Sequence, residues 1–318
     1  MNSLSKTRIK NSTGRRMGRG RRAYQRELWG MAALPILWFI IFSYMPMFGI
    51  SIAFKDYNYR KGILASEWVG LKNFEFFLKS DDMLVVIRNT VLMNVLFIAS
   101  LTVCALLLAI LMYNLTSRKL TKVLQTSYIT PNFVSYVMVS YVVYSILNPQ
   151  YGIANQLLTK LGITGVDWYT EPKYWPAILA VVHVWKGVGM RSVMYYAALM
   201  GVDESLFEAA EIDGANKTQI TYRIMVPEIL SIIVILIILD IGGIFRGDFG
   251  LFYLVTQDSP LLYDVTDVID TYVYRTLMES NNVSLSTAIG FMQSVVGCVM
   301  ILFTNFISKK IDNDLGLI

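Results

Sequence analysis

Residues 201–227 read GVDESLFEAAEIDGANKTQITYRIMVP, a patterned polar stretch between two long apolar runs. Asp203 is placed to N-cap a short helix. Glu204 adds a carboxylate to its first turn, where the helix dipole favours negative charge. Leu206, Phe207 and Ala210 supply an apolar face, and Ala209 a small surface. Gly214 suits the helix end, where a left-handed residue is needed. A second short helix is expected from about Lys217 to Pro227, and Pro227 can open the next apolar run. The segment predicts a helix–turn–helix bracket lying along a membrane. Its small residues allow close approach by a partner, and its acids can meet basic groups.

The runs around this bracket set its context. A bilayer core needs about 20 apolar residues of helix. Runs of that length cover Leu28–Phe54, Met83–Tyr113, Leu120–Leu147, Tyr174–Met200, Pro227–Phe249 and Val283–Ile307. The first holds Pro35 and Pro46 and the third holds Pro131. The first is too long for a signal-peptide core and no small-residue cleavage site follows it, so it reads as a retained anchor. Six spans place both ends on one side. With Lys122, at the start of the third run, counted in the loop before it, sixteen Lys and Arg lie on the side of the N-terminus, eight on the other, and four (Arg88, Lys186, Arg191 and Arg246) within spans. The positive-inside rule then puts both termini and residues 201–227 in the cytoplasm.

Composition agrees. Of 318 residues, 55% are hydrophobic and 16% charged, against about 25% charged in soluble proteins. Mean hydropathy is +0.49. This excludes a disordered chain, a disulfide-rich secreted fold and an ordinary cytosolic enzyme. One histidine leaves little for a metal site or a thiol–histidine catalyst, and Cys104 and Cys298 fall inside apolar runs, so neither a metal nor a catalytic residue is expected. The net charge of +5 does not indicate nucleic acid, because residues 1–27 hold nine cations against the single acid Glu27. That segment reads as a basic cytoplasmic tail on anionic lipid headgroups. Residues 28–318 form the transmembrane domain.

Glu208-Ala209-Ala210, Asp213-Gly214-Ala215, Ile224 and Pro227 resemble, at the right spacing, the EAA signature of binding-protein-dependent ABC importer permeases. Trp68-Val69-Gly70-Leu71-Lys72-Asn73-Phe74 is similar to the WxGLxNF element of the carbohydrate-uptake branch, which includes the maltose and glycerol-phosphate permeases. Asn89-Thr90 and Asn94 open the second span much as in those relatives. Tyr44-Met45-Pro46 and Ala53-Phe54-Lys55-Asp56-Tyr57 resemble the polysaccharide and oligosaccharide permease subgroup. The similarity runs from about residue 28 through nearly all the chain. It implies an all-α fold with six transmembrane helices, of the type I importer permease kind. It also implies that the first short helix of residues 201–227 couples to a cytosolic ATPase.

Ionisable residues inside spans are costly and usually face a cavity or each other. His183, Lys186 and Arg191 share roughly one face of the fourth span. Asp240, Arg246 and Asp248 lie on the fifth. His183 and Asp240 each fall about 14 Å from the outer end, so a pairing between these spans is expected. Arg246 and Asp248 fall nearer the outer mouth, and Arg191 near the inner headgroups. Residues 240–250 hold four glycines in eleven positions, which predicts a broken helix lining a cavity. Phe245, Phe249, Phe252 and Tyr253 offer faces for sugar stacking, with Trp185 and Tyr196 further aromatics. Charge pairs that merely hold spans together account for the same ionisable residues.

The family implies a second permease chain, two cytosolic ATPase subunits and an extracytoplasmic solute-binding protein, in a bacterial-type plasma membrane. No GxxxxGK[ST] phosphate loop occurs here, so ATP and Mg belong to the partner ATPase and no cofactor to this chain. Two rivals exist outside the family: an ion-coupled secondary transporter, which leaves residues 201–227 without a purpose, and a membrane scaffold without transport. Within it, the rival is a permease for a non-sugar solute.

Overall fold

The computed structural model describes residues 19–311. Most of the basic tail expected at 1–27 lies outside the described residues. The chain divides into two units, residues 1–51 and 52–318.

In the first unit, α1 (Arg19–Phe39) runs through Pro35. It then widens to a π turn over Ile40–Tyr44 and tightens to a 3₁₀ run over Met45–Phe54. Pro46 explains the change, because it offers no N–H and its ring clashes with the carbonyl four residues earlier. Trp29, Leu34, Trp38, Phe42 and Phe48 are exposed, as an anchor facing lipid requires.

In the second unit, β1 (Lys55–Asp56) pairs antiparallel with β2 (Glu67–Trp68) around the short α2 (Gly62–Ala65). The amide of Asn73, in α3 (Lys72–Leu78), donates to the carbonyls of Ala53 and Lys55 and fixes this hairpin. α4 (Asp82–Tyr113) has 32 residues, about 48 Å, enough to cross a bilayer and project beyond it. α5 (Arg118–Ile129), α6 (Tyr136–Leu147), α7 (Ile153–Lys160) and α8 (Trp175–Leu199) follow. The 201–227 segment holds α9 (Glu204–Ile212) and α10 (Lys217–Ile220), and α11 (Val226–Glu228) straddles its end. The chain then forms α12 (Leu230–Gly242), α13 (Tyr263–Thr266), α14 (Ile269–Met278) and α15 (Val283–Ile311).

Among the described residues four helices can span a membrane alone, and up to six spans exist if each bent pair counts as one. The third run is therefore not one straight helix: α5 with its 3₁₀ end and α6 meet at 98°. Pro131 ends the first segment in a 3₁₀ turn, and Ser135 caps the second through Met138 N–H. The fifth run also differs. Pro227 lies inside α11, the chain breaks at Ile229, and the span starts at Leu230 after a 59° bend. The helix before Pro227 widens to a π turn at Thr221–Met225 for the same reason as before Pro46.

Three apolar clusters hold the unit together. Phe97, Val143, Leu179 and Phe252 join α4, α6, α8 and the turn after residue 249. Ala105, Tyr195, Leu199, Met225 and Ile233 pack α4, α8 and α12 at the end that carries residues 201–227. Phe77, Val86, Ile269 and Ile289 close the opposite end.

Candidate functional site: an exposed loop and a broken span

The bracket forms as its residue types dictate. Asp203 Oδ1 accepts from Ser205 N–H at 3.0 Å, and that backbone bond holds the Asp203 carboxyl below the usual carboxylate range. At the other end of α9, Ala215 N–H donates to Ala210 and Gly214 N–H to Glu211, the two bonds of a Schellman stop. Gly214 has φ +79°, where a side chain would be strained. Asn216 and Gln219 then form a reciprocal capping box that opens α10. That N-x-x-Q signal was readable but escaped the sequence analysis.

Phe207 turns inward, its ring 5.7 Å from that of Tyr113 at the end of α4. Glu208, Ala209, Asp213, Gly214 and Pro227 are exposed, and Ala210 and Ala215 half-buried. The bracket thus presents a small, acidic ridge on a rigid footing.

The second feature is the break after Gly242. Backbone groups freed in an apolar setting need partners, and here side chains from three helices supply them. Asn94 Nδ2 (α4) donates to the carbonyls of Ile244 and Arg246 at 3.0 and 3.1 Å. Gln293 Nε2 (α15) donates to Phe245 O at 2.7 Å. Asp270 Oδ2 (α14) accepts from Gly247 N–H and from Gln293. Tyr136 OH (α6) donates to Asp248, while a Cβ on Gly250 would stand 2.4 Å from the same ring. Burial pushes the Asp270 carboxyl up, against the bonds from Gly247 and Gln293.

The residues named from sequence distribute as follows. His183 stacks on Phe97 at 4.4 Å between centroids. Asp240 pairs with Arg191 at 2.7 Å, not with His183. Arg191 lies about two turns from His183 on the same helix and is the residue that meets Asp240. Both ionic side chains border a cavity of about 310 Å³ with Asn94, Phe97, His183 and Gly243.

Lys186 Nζ is occupied by three carbonyls of the α5–α6 bend, Pro131, Asn132 and Val134, and lies 4.9 Å from the Tyr136 ring centroid. Arg246 is exposed. Phe249 and Tyr253 stack at 4.9 Å, and Tyr274 joins both rings. Asn89 and Thr90, part of the family-like opening of α4, bind the Asp264 carbonyl and the Ile269 N–H. Tyr136, Asp270 and Gln293 were missed, because their role depends on contacts 23 to 112 residues away in sequence.

The solved structures agree with this architecture. A crystal structure of a bacterial ABC transporter involved in the import of the acidic polysaccharide alginate contains a chain that superposes with a TM-score of 0.83 at 31% identity, covering 93% of this chain and all of that one. A second structure, the alginate transporter in complex with an alginate pentasaccharide-bound periplasmic protein, superposes at 0.81 and 31% identity, covering 91% of this chain and 97% of that one. Protein LplB of Bacillus subtilis is 33% identical over 92% of each chain. A Bacillus subtilis polygalacturonan/rhamnogalacturonan transport system permease protein, YteP, is 31% identical over 90% of this chain and 88% of its own. Residues 102–313 match the binding-protein-dependent transport system inner membrane component family. The exposed bracket, the broken span and these matches agree: this chain is a multi-pass membrane permease that belongs to that family.

Proposed function

We propose that this chain is the permease subunit of an ATP-driven importer that passes a sugar or oligosaccharide into a bacterial cell. The observation that carries this reading is the exposed, doubly capped bracket between α8 and α12. Glu208, Ala209, Ala210, Asp213, Gly214, Ala215 and Pro227 form the surface for a cytosolic ATPase subunit, which holds the ATP and Mg. Both termini face the cytoplasm. A second permease chain completes the pathway, and an extracytoplasmic binding protein delivers the solute. Alternating access moves the solute through: nucleotide binding outside this chain shifts the bracket, and the cavity changes the side to which it opens.

The sugar class is supported by the relatives: one is a polygalacturonan/rhamnogalacturonan transport system permease and another belongs to a transporter involved in alginate import. On this chain the ring faces of Phe249, Tyr253 and His183 and the exposed Arg246 suit a hydroxyl-rich solute. Lys186, Asp240 and Asp248 act mainly by holding the pathway wall, since each already binds a group of the chain. The test is a mild-detergent pull-down from native membranes with mass spectrometry. A second six-span chain and an ATPase are expected to copurify. Recovery of this chain alone in several detergents would overturn the importer reading and favour an ion-coupled transporter.

A further inference from the structure

α8 and α12 are consecutive spans, joined in sequence by the bracket itself. Near their bracket ends they are packed together by Tyr195, Leu199, Met225, Ile229 and Ile233, with α4 behind them. Further along, a second connection appears: Arg191 Nη2 meets Asp240 Oδ1 at 2.7 Å. The two side chains are at matched height. Arg191 stands eight residues before Leu199 and Asp240 ten after Leu230, about 12 and 15 Å along their helices. Only 14% and 24% of the side chains is exposed. Three residues past Asp240 the helix is broken, and the chain is held by Asn94, Gln293, Asp270 and Tyr136. The ion pair therefore stands between the bracket and the broken end of α12.

We propose, resting on the importer reading above, that Arg191 and Asp240 form a clasp that makes α8, the bracket and α12 one lever. Apolar packing sets helix register only through the interlocking shapes of side chains. A charge pair in a weakly polar setting fixes register: slippage by one turn would strand a cation and an anion where each is costly. A push on α9 then reaches residues 243–249 as a displacement rather than dissipating between the two spans. Arg191 and Asp240 are positioning residues in this account. Arg191 Nη1 and Asp240 Oδ2 are buried with no hydrogen-bond partner among the described residues. A direct role in solute contact is therefore the competing explanation, and the test separates the two.

The experiment is hydrogen exchange on the full purified complex, with MgATP and vanadate as the probe, so no solute need be identified. In the native complex trapping is expected to alter exchange both in α9 and in residues 243–249. In Arg191→Met the change in α9 persists, while that at 243–249 shrinks at least fivefold. The double exchange Arg191→Asp with Asp240→Arg restores the change at 243–249 to within about twofold, since it rebuilds the pair with the charges reversed. Asp240→Asn, nearly isosteric, gives an intermediate loss.

Full transmission in Arg191→Met overturns the clasp. So does a double exchange as silent as the single variant, because groups that touch solute or a partner chain cannot be reversed without loss. Failure of Asp240→Asn to assemble also overturns it, by making the pair a folding determinant only. A native complex whose α9 ignores MgATP and vanadate would instead sink the importer reading itself.

Discussion

Arg275 lies over the ring of Tyr263, 3.9 Å from its centroid, and pairs with Asp258 at 3.3 Å and with the nearly buried Asp267. Burial pushes the Asp267 carboxyl up, and the guanidinium only partly offsets that. Arg275→Met would leave a buried carboxylate unpaired, at a cost of about 3–5 kcal/mol. The pH dependence has a definite sign. A carboxyl whose folded value is raised is tolerated when protonated and penalised when ionised, so its contribution is lost as pH rises through the folded value. The variant should therefore lose much of its thermal stability at pH 8 and regain part of it at pH 5. A melting temperature equally depressed at both values would show that Asp267 is not the cause. At this scale the sequence was readable where a residue acts on its neighbours, as Asp203 and Gly214 do. It was not readable for Lys186, whose three carbonyl partners lie 52 to 55 residues earlier. A lysine on an apolar helix announces that it needs partners, not which ones.

Breaks in helices were half legible. The glycines at 242, 243 and 247 announced the interruption of the fifth span, and the helix does end at Gly242. Pro131 announced less than it does: in the third run it precedes a cap at Ser135, and together they turn the chain by 98°. A single proline inside a helix kinks it, whereas a proline followed by a new N-cap starts another helix. The break at 243–249 owes its form to side chains of other elements. Asn94 alone occupies two of its carbonyls. Asn94→Leu would strand them at about 1–3 kcal/mol. The expected outcome is faster hydrogen exchange at residues 243–249, with α4 and α8 protected as before. Unaltered exchange there would mean that Gln293 and Asp270 suffice. Asp248→Ala tests the same element from the α6 side: transport should fall while the complex still assembles. Loss of assembly would make the Tyr136–Asp248 bond a packing contact rather than part of the moving wall.

Across the whole molecule, coupling requires a part that is rigid toward its own chain and open toward another. α9 meets both conditions. Its apolar side is anchored by Phe207 on Tyr113, its ends are closed by Asp203 and by the stop at Gly214, and Glu208 faces away. Among the described residues Glu208 has no ion pair. Reversing its charge therefore removes nothing that holds this chain together, and exposed changes of that kind usually shift stability by no more than about 0.5 kcal/mol. A partner cleft built to receive an acid would respond very differently, since like charges across an interface cost several kcal/mol. Glu208→Lys should insert in the membrane at native levels, pair with the second permease chain, and copurify with the ATPase at least tenfold less. Equal loss of the second permease would point to misfolding. Undiminished ATPase recovery and ATP-dependent uptake would remove the docking role from α9 and leave its exposed acid without a partner.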